Sequence, residues 1–319
     1  MLADRPTAPF ARGSVSIRLY SHSELDPDAI VRQFCAEASL ALSLGFDGVM
    51  AGEHHAGFAG YLAQPLQMVT FVLEENSTGW VAASPLLLPL RPTALVAEEV
   101  AWLNARHRGR VGLGVAPGAL PLDFETVGVD QSSAIRGYKS ELPRLVTLLR
   151  GEDLGDLAGD PALTACRRDP VPVLSAAVSE AAARRAARCG AGILMEGMSS
   201  PDRLAQLTAA FDLAGGSGAK VLIRRVWLGH LPATLVRKQR AVYESYADPK
   251  TSFGGDQTIA ASDPAEIVER LSELVAATGA DALNLRVQLP GMEPDAVREQ
   301  IEALGLEVVR PLKETWPNP

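Results

Sequence analysis

The segment from Val81 to Asp130 contains the pattern that most restricts how this chain can fold. Val81–Leu88 is predicted to be an apolar strand, Pro92–Ala105 a helix with one apolar face, and Arg110–Val115 a second buried strand. A strand, a helix and a strand joined by short connections form one βαβ unit, whose two strands run parallel. Helices must cover both faces of such a sheet, so the pattern indicates an α/β fold.

Repeats of this unit fill most of the chain. Eight apolar strands alternate with helical runs, which predicts a (β/α)₈ TIM barrel with insertions. The loop at 116–131 is long for a connection from a strand to a helix, and the following helix, Ser132–Leu149, is expected to begin with a serine cap. The eight predicted strands are Ser14–Tyr20, Phe46–Ala51, Val81–Leu88, Arg110–Val115, Val171–Leu174, Ile193–Glu196, Lys220–Leu228 and Ala282–Val287.

The length of 319 residues fits one such barrel, because a TIM barrel takes about 250 residues before insertions. We therefore expect a single domain over residues 1–319. Two segments fall outside the count of strands and helices. Residues 151–169 are predicted to be an irregular excursion, and residues 230–258 an insertion before the last crossover helix that is a candidate lid.

Composition excludes several classes of function. The net charge is −8 and basic residues form no run, which argues against nucleic acid and against a membrane surface as partners. Three cysteines at unrelated spacings indicate neither a disulfide framework nor a zinc site. No apolar run approaches the roughly 18 residues of a membrane span, and the start of the chain lacks the pattern of a signal peptide. A soluble, cytoplasmic protein is expected.

Active sites of TIM barrels lie at the C-terminal ends of the strands, where this chain has Glu53, His54 and His55. His54 is the first candidate for a catalytic group, because histidine can move a proton near neutral pH. One of the two histidines can also be a structural, hydrogen-bonded residue. Adjacent side chains on an extended segment point in opposite directions and no third ligand follows at a recognisable spacing, so no metal site is expected here.

Several short motifs occur in an order and at spacings that resemble those of one family. The resemblance is continuous from about residue 46 to residue 130, and weaker but in register at 170–192 and 262–291. The family is that of the bacterial luciferase-like flavin-dependent monooxygenases, also called the luciferase-like (LLM) class of flavin-dependent oxidoreductases. The motifs are Glu53-His54-His55, Leu88-Pro89, Glu98-Glu99, Gly109-Arg110, Gly114, Asp123-Phe124 and Gly128-Val129-Asp130.

The resemblance implies a reaction class and a set of partners. Reduced FMN would come from a separate flavin reductase, and with O₂ a C4a-(hydro)peroxyflavin would oxidise a small organic substrate. In the family a histidine at the position of His54 lies next to the reduced flavin and supports this oxygenated form. The resemblance also assigns Glu53, Ala116 and Pro117 to the surroundings of the cofactor.

Ser84 and Pro85 are further candidate cofactor-binding residues, because family members have a cis peptide bond that bulges under the flavin ring at this position. A cis bond before proline costs under about 1 kcal/mol, against about 3–4 kcal/mol before other residues. We therefore predict a cis Ser84–Pro85 bond; the alternative is a trans proline at the end of a strand.

Ala177, Val178 and Ser179 match the segment that holds the flavin phosphate in the family. Ser179 starts a helix, and helix N-termini bind phosphate through their N–H groups. The alternative is that Ser179 is an ordinary N-cap. The chain departs from the family at Pro117, where many members have an arginine that contacts the phosphate, and at Gly197, where luciferase has a tryptophan. Candidate replacements for the arginine are Arg224, Arg225 and Arg286.

Two other readings stay open. Hydride-transferring members of the superfamily use a deazaflavin, so this chain can be a deazaflavin-dependent oxidoreductase. The absence of the arginine at position 117 and of the tryptophan at position 197 is compatible with a non-catalytic barrel that binds a ligand or a partner. Family members commonly pair through helices near strands two and three, and the apolar helix Gln64–Glu74 is compatible with a homodimer. The substrate pocket is expected to include His55, Phe58, Tyr61 and Leu120.

Overall fold

A computed structural model describes residues 7–246 and 257–316, with the side chains of 242–246 excepted. In this part of the chain eight parallel strands close into a barrel, and helices lie between them, so the predicted TIM barrel is confirmed. That all 319 residues form one domain stays a prediction. The strands are β1 (Val15–Leu19), β2 (Gly48–Ala51), β3 (Trp80–Leu87), β4 (Val111–Ala116), β5 (Val173–Ala176), β6 (Gly192–Met195), β7 (Lys220–Leu228), β8 (Ile259–Ala261) and β9 (Ala282–Arg286).

The helices follow the strands in the order expected of βα units. The first helix begins after Asp26, with Pro27 at the first helical position. The helices are α1 (Pro27–Ser43), α2 (Pro65–Glu75), α3 (Thr93–Arg106), α4 (Pro121–Thr126), α5 (Gln131–Leu148), α6 (Pro161–Ala165), α7 (Glu180–Cys189), α8 (Pro201–Leu213), α9 (Ala233–Tyr246), α10 (Pro264–Thr278), α11 (Pro294–Leu304) and α12 (Arg310–Glu314). Among the described helices none is long and apolar enough to cross a membrane.

The barrel closes between its first strand and its last. β1 pairs with β2 on one side and with β9 on the other, and β9 pairs in turn with β7. The short strand β8 pairs with the outer half of β7 and stays outside the ring. The prediction of eight strands therefore omitted one strand, which is too short to give a periodic signal. The closed ring fixes the order of the strand ends around the mouth of the barrel.

Glycines in β4 let large side chains fill the barrel. A Cβ added at Gly112 would lie 2.6 Å from the ring of Phe10, and one added at Gly114 would lie 2.0 Å from Oγ of Ser84. Phe10 closes the N-terminal end of the barrel and packs edge-on against Trp80, with ring centroids 5.0 Å apart. Both are therefore packing glycines, because a side chain at either position would collide with its neighbour.

Two segments without predicted regular structure contain short helices. The loop after β4 holds α4, and the excursion at 151–169 holds a 3₁₀ turn at 155–159 followed by α6. Asp130 caps α5, since its Oδ2 accepts a hydrogen bond from the backbone N–H of Ser133; the predicted serine cap at Ser132 was wrong. Aspartate and serine have similar preferences for the cap position, so the sequence pattern alone did not separate them.

The insertion predicted at 230–258 is helical in its described part. α9 packs Leu235 and Val236 against the core and buries Gln239. Residues 247–256 lie outside the described residues, and with them most of the second half of the candidate lid. α9 reaches the C-terminal end of the barrel, because Arg225 of β7 donates a hydrogen bond to Oε1 of Gln239.

Candidate active site

Small residues line the inner wall of the barrel at its C-terminal mouth. Residues two apart on a strand face the same side. Gly52 therefore faces the lumen like Met50, and Ala116 faces it like Gly114. A Cβ added at Gly52 would lie 3.0 Å from Nη1 of Arg18, 3.4 Å from the ring of Tyr61 and 3.6 Å from Cδ of Pro85. These four residues therefore meet at one point of the mouth.

The Ser84–Pro85 peptide bond is cis, as predicted. The strand does not end there: β3 continues to Leu87, and its register with β4 shifts between Ala83 and Leu86. The carbonyl oxygen of Pro85 accepts a hydrogen bond of 3.0 Å from the backbone N–H of Glu53. Oγ of Ser84 is fully buried and has no hydrogen-bond partner among the described groups.

Glu53 connects the ends of β2 and β3. Its side chain is buried, and its Oε1 lies 2.9 Å from Nε2 of His55 and 2.6 Å from Nη2 of Arg91. Its Oε2 accepts from the backbone N–H of Leu87 at 2.6 Å and from Nη1 of Arg91 at 3.1 Å. A buried carboxylate with this many donors is firmly held, so Glu53 fixes the loop that carries the two histidines.

His54 points away from Glu53, towards α4. Its Nδ1 lies 2.8 Å from Oδ2 of Asp123, and Oδ1 of the same carboxylate accepts a hydrogen bond of 2.7 Å from the backbone N–H of His55. Asp123 is 1% exposed, and the side chain of His54 is 19% exposed. The carboxylate favours the tautomer with a proton on Nδ1, which leaves Nε2 available for proton exchange. His54 and His55 thus point to opposite sides, as the extended segment predicted.

Aromatic rings surround the imidazole of His54. The ring centroid of Tyr61 lies 4.4 Å away and that of Phe58 4.9 Å away. Tyr61 also packs edge-on against Tyr20 at 5.0 Å, and the guanidinium carbon of Arg286 lies 5.0 Å from the centroid of the Tyr20 ring. The structure therefore brings two of the predicted substrate-binding residues, Phe58 and Tyr61, to the predicted catalytic histidine.

A cavity of ≈ 380 Å³ opens beside these rings. The predicted pocket residue Phe58 lines it, whereas Leu120 is buried at the start of α4 and Leu122 lines the cavity in its place. Its other lining residues are Glu24, Ala56, Gly57, Ala59, Lys238, Gln239, Pro290 and Gly291. The walls thus combine apolar surface with one acidic and one basic side chain.

The segment predicted to hold phosphate lies at the start of α7. The backbone N–H of Ala177 donates to the carbonyl oxygen of Leu194, and the side chain of Val178 is exposed. Oγ of Ser179 accepts a hydrogen bond of 3.3 Å from the backbone N–H of Ala182, so Ser179 caps the helix. Nη2 of Arg203 lies 3.3 Å from the carbonyl oxygen of Val178 and places a cation at this helix end.

The three arginines considered as replacements for the missing arginine at 117 lie in different places. Arg224 faces away from the lumen and donates to the carbonyl oxygens of Gly197 and Gln257. Burial lowers the pKa of Arg224 to about 10, although the charge of Glu196 opposes the shift. Arg225 and Arg286 face the lumen. A Cβ added at Gly197 would lie 3.1 Å from the carbonyl oxygen of Ile223, so the backbone of β7 leaves little room for a tryptophan at this position.

A profile of the luciferase-like monooxygenase family matches residues 15–225, which is well over half of the chain. The chain belongs to this family. Limonene 1,2-monooxygenase from Rhodococcus erythropolis is 26% identical over 188 residues, which cover 56% of this chain and 49% of that enzyme. An uncharacterised protein of Mycobacterium tuberculosis is 36% identical over 133 residues, covering 39% of this chain and 44% of that protein. The chain spans less than half the length of these two relatives.

Solved structures with the same fold include enzymes that use different cofactors. The oxygenating constituent of 3,6-diketocamphane monooxygenase from Pseudomonas putida, solved in complex with FMN, superposes with a TM-score of 0.72 at 16% identity, over 96% of this chain and 100% of that one. An F420-dependent secondary alcohol dehydrogenase, solved with an F420–acetone adduct, gives a TM-score of 0.64 at 15% identity, over 94% and 98%. At these identities the likeness establishes the fold alone.

Two residues that contact the candidate site, Asp123 and Arg91, were not among the predicted site residues. Asp123 belongs to one of the family motifs, but nothing in the sequence indicates that it contacts His54, which comes 69 residues before it. Arg91 follows the end of β3 and binds Glu53, although no spacing links the two residues. Among the described residues no group of His, Cys, Asp and Glu side chains is arranged to hold a metal ion.

Proposed function

We propose that the chain is a flavin-dependent monooxygenase that binds reduced FMN at the mouth of the barrel and oxidises a small organic substrate with O₂. The observation that carries this proposal is the pairing of His54 with the buried carboxylate of Asp123, next to the cis Ser84–Pro85 bond and among aromatic rings. Membership of the family and the names of the monooxygenase relatives support it.

The residues at the mouth fit a flat, polar ring system. Gly52, Ala116 and the half-buried Ala176 leave the wall without bulky side chains, and the buried Oγ of Ser84 offers a hydrogen bond that no described group takes up. A buried hydroxyl without a partner costs about 1–3 kcal/mol, so a ligand that satisfies it gains stability. Ser84, Pro85, Ala116 and Pro117 would contact the ring. The bound flavin would supply the electrons that activate O₂.

The phosphate end of FMN would lie at the start of α7. Ala177, Val178 and Ser179 present the N-terminus of a ten-residue helix, whose dipole attracts anions. Arg203 adds a guanidinium at this end and would serve in place of the arginine that the family often has at position 117. The neighbouring Glu180 pairs with Arg184 at 2.9 Å and with Arg203 itself at 3.8 Å.

The side chains of this chain would orient the reactants and move one proton. Asp123 holds Nδ1 of His54, so Nε2 can donate or accept a proton at the bound cofactor. Glu53 and Arg91 keep the loop of His54 in place, and Phe58 and Tyr61 exclude water from the imidazole. His55, which Glu53 holds, would lie at the edge of the substrate pocket, and Leu122 would line the pocket in place of the buried Leu120.

The decisive test is an anaerobic titration of the purified protein with reduced FMN, followed by rapid mixing with O₂. We expect saturable binding and a rate of flavin reoxidation that differs from that of free FMN. A separate NAD(P)H-dependent flavin reductase should then sustain turnover, since the proposal gives this chain no role in reducing the flavin. Absence of binding by FMN in both redox states would contradict the proposal.

The second candidate is a deazaflavin-dependent oxidoreductase. The F420-dependent secondary alcohol dehydrogenase, whose cofactor is a deazaflavin, shares its fold with 94% of this chain and favours this candidate. In such an enzyme His54 would act as acid or base and no O₂ would be consumed. The same titration with reduced deazaflavin separates the two candidates, because tight binding of deazaflavin together with weak binding of FMN would favour this one. A protein that binds neither would be a non-catalytic barrel.

We also propose that two copies pair through α2 and α3. Glu74 of α2 binds Arg106, the last residue of α3, at 3.2 Å and the following His107 at 3.0 Å, so the C-terminal ends of the two helices are in contact. Phe71 and Trp102 precede this contact by one turn on each helix, and their side chains are exposed by 37% and 54%. Large apolar side chains on neighbouring helices are typical of an interface between protein subunits.

Sedimentation velocity tests the homodimer. We expect a dimer for the wild type and a shift towards monomer for Trp102→Asp, which puts a charge into the interface. Leu213→Asp serves as the matched control, because Leu213 is 88% exposed at the end of α8, away from the proposed interface. A monomeric wild-type protein would refute the pairing.

A further inference from the structure

We infer that His22 is a positioning residue for the substrate cavity: its protonated ring ties three loops at the mouth of the barrel to α1, and the loops loosen when the ring loses its proton. The three loops, which we call the wall loops, are the segments 21–25, 58–61 and 288–292. The inference rests on the proposed function in one respect, since it takes the cavity beside Phe58 as the place of the substrate. It adds a control of that site by pH.

The wall loops form one side of the cavity beside Phe58. Each loop contributes to the lining, with Glu24 from the first, Phe58 and Ala59 from the second, and Pro290 and Gly291 from the third. The second loop also carries Tyr61, whose ring centroid lies 4.4 Å from that of His54. A shift of the wall loops therefore changes both the width of the cavity and the surroundings of His54.

Hydrogen bonds join the wall loops to one another. The backbone N–H of Ser21 donates to the carbonyl oxygen of Gly60 at 2.9 Å, and the backbone N–H of Gly60 donates to Oγ of Ser23 at 2.8 Å. Next to the first loop, the backbone N–H of Tyr20 donates to Oε1 of Gln288 at 3.0 Å. The three loops are thus connected into one unit, so a group that holds two of them also restrains the third.

His22 connects this unit to α1. Its Nε2 lies 2.7 Å from Oε1 of Glu37, and the two side chains are 3% and 0% exposed. Gln33, one turn earlier in α1, donates to the same oxygen at 3.1 Å. The backbone carbonyl of Met292, in the third wall loop, accepts a further hydrogen bond from the imidazole. The ring of His22 therefore lies between α1 and two of the wall loops and contacts all three.

The two acceptors favour the charged form of the ring. A neutral imidazole has one N–H and can donate to only one of them, whereas an imidazolium can donate to both. The ionisable groups that act on the ring are Glu37 of α1 and Glu24 of its own loop, and the loop after β9 supplies the carbonyl of Met292. Burial lowers the pKa of His22, but these three groups outweigh burial and raise the pKa. The ring is therefore charged at neutral and lower pH.

Loss of the proton removes the link between α1 and the wall loops. The neutral ring gives up one of its two hydrogen bonds, and the buried carboxylate of Glu37 loses the positive charge opposite it. Oε2 of Glu37 has no hydrogen-bond partner among the described groups, so this carboxylate depends on His22 and Gln33. A buried charge without compensation is costly, and movement of the loops that admits water lowers this cost.

Nuclear magnetic resonance of the histidine rings gives the first test, on the full chain without flavin. The ring nitrogens of His22 are assigned with His22→Gln and followed through a pH titration. We expect a midpoint above the usual value of about 6.5 for histidine. Glu37→Gln removes the carboxylate and should lower this midpoint. A midpoint below about 6.5 in the wild type would overturn the inference, because the ring would then be neutral near neutral pH.

Hydrogen exchange detected by mass spectrometry then measures the wall loops on both sides of that midpoint, with correction for the intrinsic exchange rate. Peptides that contain Ser21, Gly60 and Met292, whose N–H groups are hydrogen-bonded, should lose protection by about tenfold or more as the pH passes the midpoint. Peptides from α4, which borders the cavity on the other side through Leu122, should keep their protection. His22→Gln should show the low protection at both pH values.

His107→Gln is the matched control. His107 is also buried and paired with a glutamate, at 3.0 Å from Glu74, but it follows α3 at the opposite end of the barrel. This variant should keep the pH dependence of the wall loops. Protection of the wall loops that is equal on both sides of the His22 midpoint in the wild type, or wild-type protection in His22→Gln, would overturn the inference.

The inference and the proposed function can fail separately, because neither measurement uses flavin. If the protein binds FMN but the protection of its wall loops does not follow the titration of His22, the positioning role is wrong and the proposed function stands. If the wall loops follow His22 but FMN binds in neither redox state, the proposed function fails and the role of His22 at the cavity stands.

Discussion

Nδ1 of His54 lies 2.8 Å from Oδ2 of Asp123, a buried carboxylate that comes from the short helix after the fourth strand. The second oxygen of the same carboxylate holds the backbone of His55. One aspartate therefore sets both the tautomer of His54 and the path of the loop that carries it. A loop residue fixed at its backbone and its ring is suited to precise proton transfer.

Asp123→Asn should slow the reaction more than it weakens cofactor binding. The amide cannot hold the Nδ1 proton of His54 as the carboxylate does, so we expect the rate of flavin reoxidation to fall by about tenfold to a hundredfold, and by about a hundredfold or more in His54→Ala. Single-turnover stopped-flow measures this rate, and anaerobic titration measures FMN affinity. Glu125→Gln on the exposed side of α4 is the control. An Asp123→Asn protein with unchanged rate would show that the pair is structural only.

Glu53→Gln should reduce the free energy of unfolding by about 1–3 kcal/mol. Removing one partner of a fully buried ion pair costs about 3–5 kcal/mol, and the value is lower here because the Arg91 side chain is 18% exposed and regains water. Urea denaturation measures the change. Glu99→Gln, at an exposed position of α3, should change stability by less than about 0.5 kcal/mol. Equal effects of the two substitutions would contradict the anchoring role of Glu53.

The stabilising effect of His22 should depend on pH. Its Nε2 lies 2.7 Å from Oε1 of the buried Glu37. Burial alone lowers the pKa of His22, but the hydrogen bond and charge of Glu37, the carbonyl of Met292 and the charge of Glu24 outweigh it, so the pKa is raised. The stabilisation is then fully present at pH values below the pKa of His22 in the unfolded chain, about 6.5. It is lost as the pH rises through the pKa of His22 in the folded protein.

His22→Gln should therefore destabilise the protein more at a pH of about 5.5 than at about 9. Urea denaturation at both pH values measures the difference in unfolding free energy between wild type and variant. The contributions of the other titrating groups cancel in this difference. A loss of stability that grows with pH would mean that the assigned direction of the pKa shift is wrong.

Gly114→Ala should destabilise the barrel by about 1–3 kcal/mol, because the added methyl group would lie 2.0 Å from Oγ and 3.1 Å from Cα of Ser84. Gly137→Ala is the matched substitution in a helix, where the added Cβ meets no described atom within 4 Å. That change should stabilise by about 0.5–1 kcal/mol. Thermal or urea denaturation compares the two, and a tolerated alanine at 114 would argue against the close packing.

The regular part of the fold could be predicted from the sequence because its signal is local. Apolar runs of strand length and helical periodicity predicted the barrel, and the family resemblance together with the proline at 85 predicted the cis bond. Short elements escaped prediction, since three residues in β8 and six in α4 give too few turns or alternations to produce a pattern.

The contacts between residues of the candidate site were harder to predict from the sequence than the residues themselves. His54, Phe58 and Tyr61 could be selected because they follow a strand end in one loop, and a single loop keeps its residues close together. Asp123 and Arg91 join the site from other units of the barrel, where only the closed ring of strands determines the distance.

Closure of the ring has a consequence for the chain during its synthesis. Ser16 in the first strand binds the backbone of Leu283, 267 residues later. The ribosome releases β1 long before β9 exists, so one edge of a strand that is buried along its whole length stays unpaired throughout translation. Unpaired strand edges associate with other chains, and β9 alone completes the sheet. In a nascent or prematurely terminated chain this edge of β1 is therefore open to association with other chains, whereas in the closed ring β1 is paired on both sides.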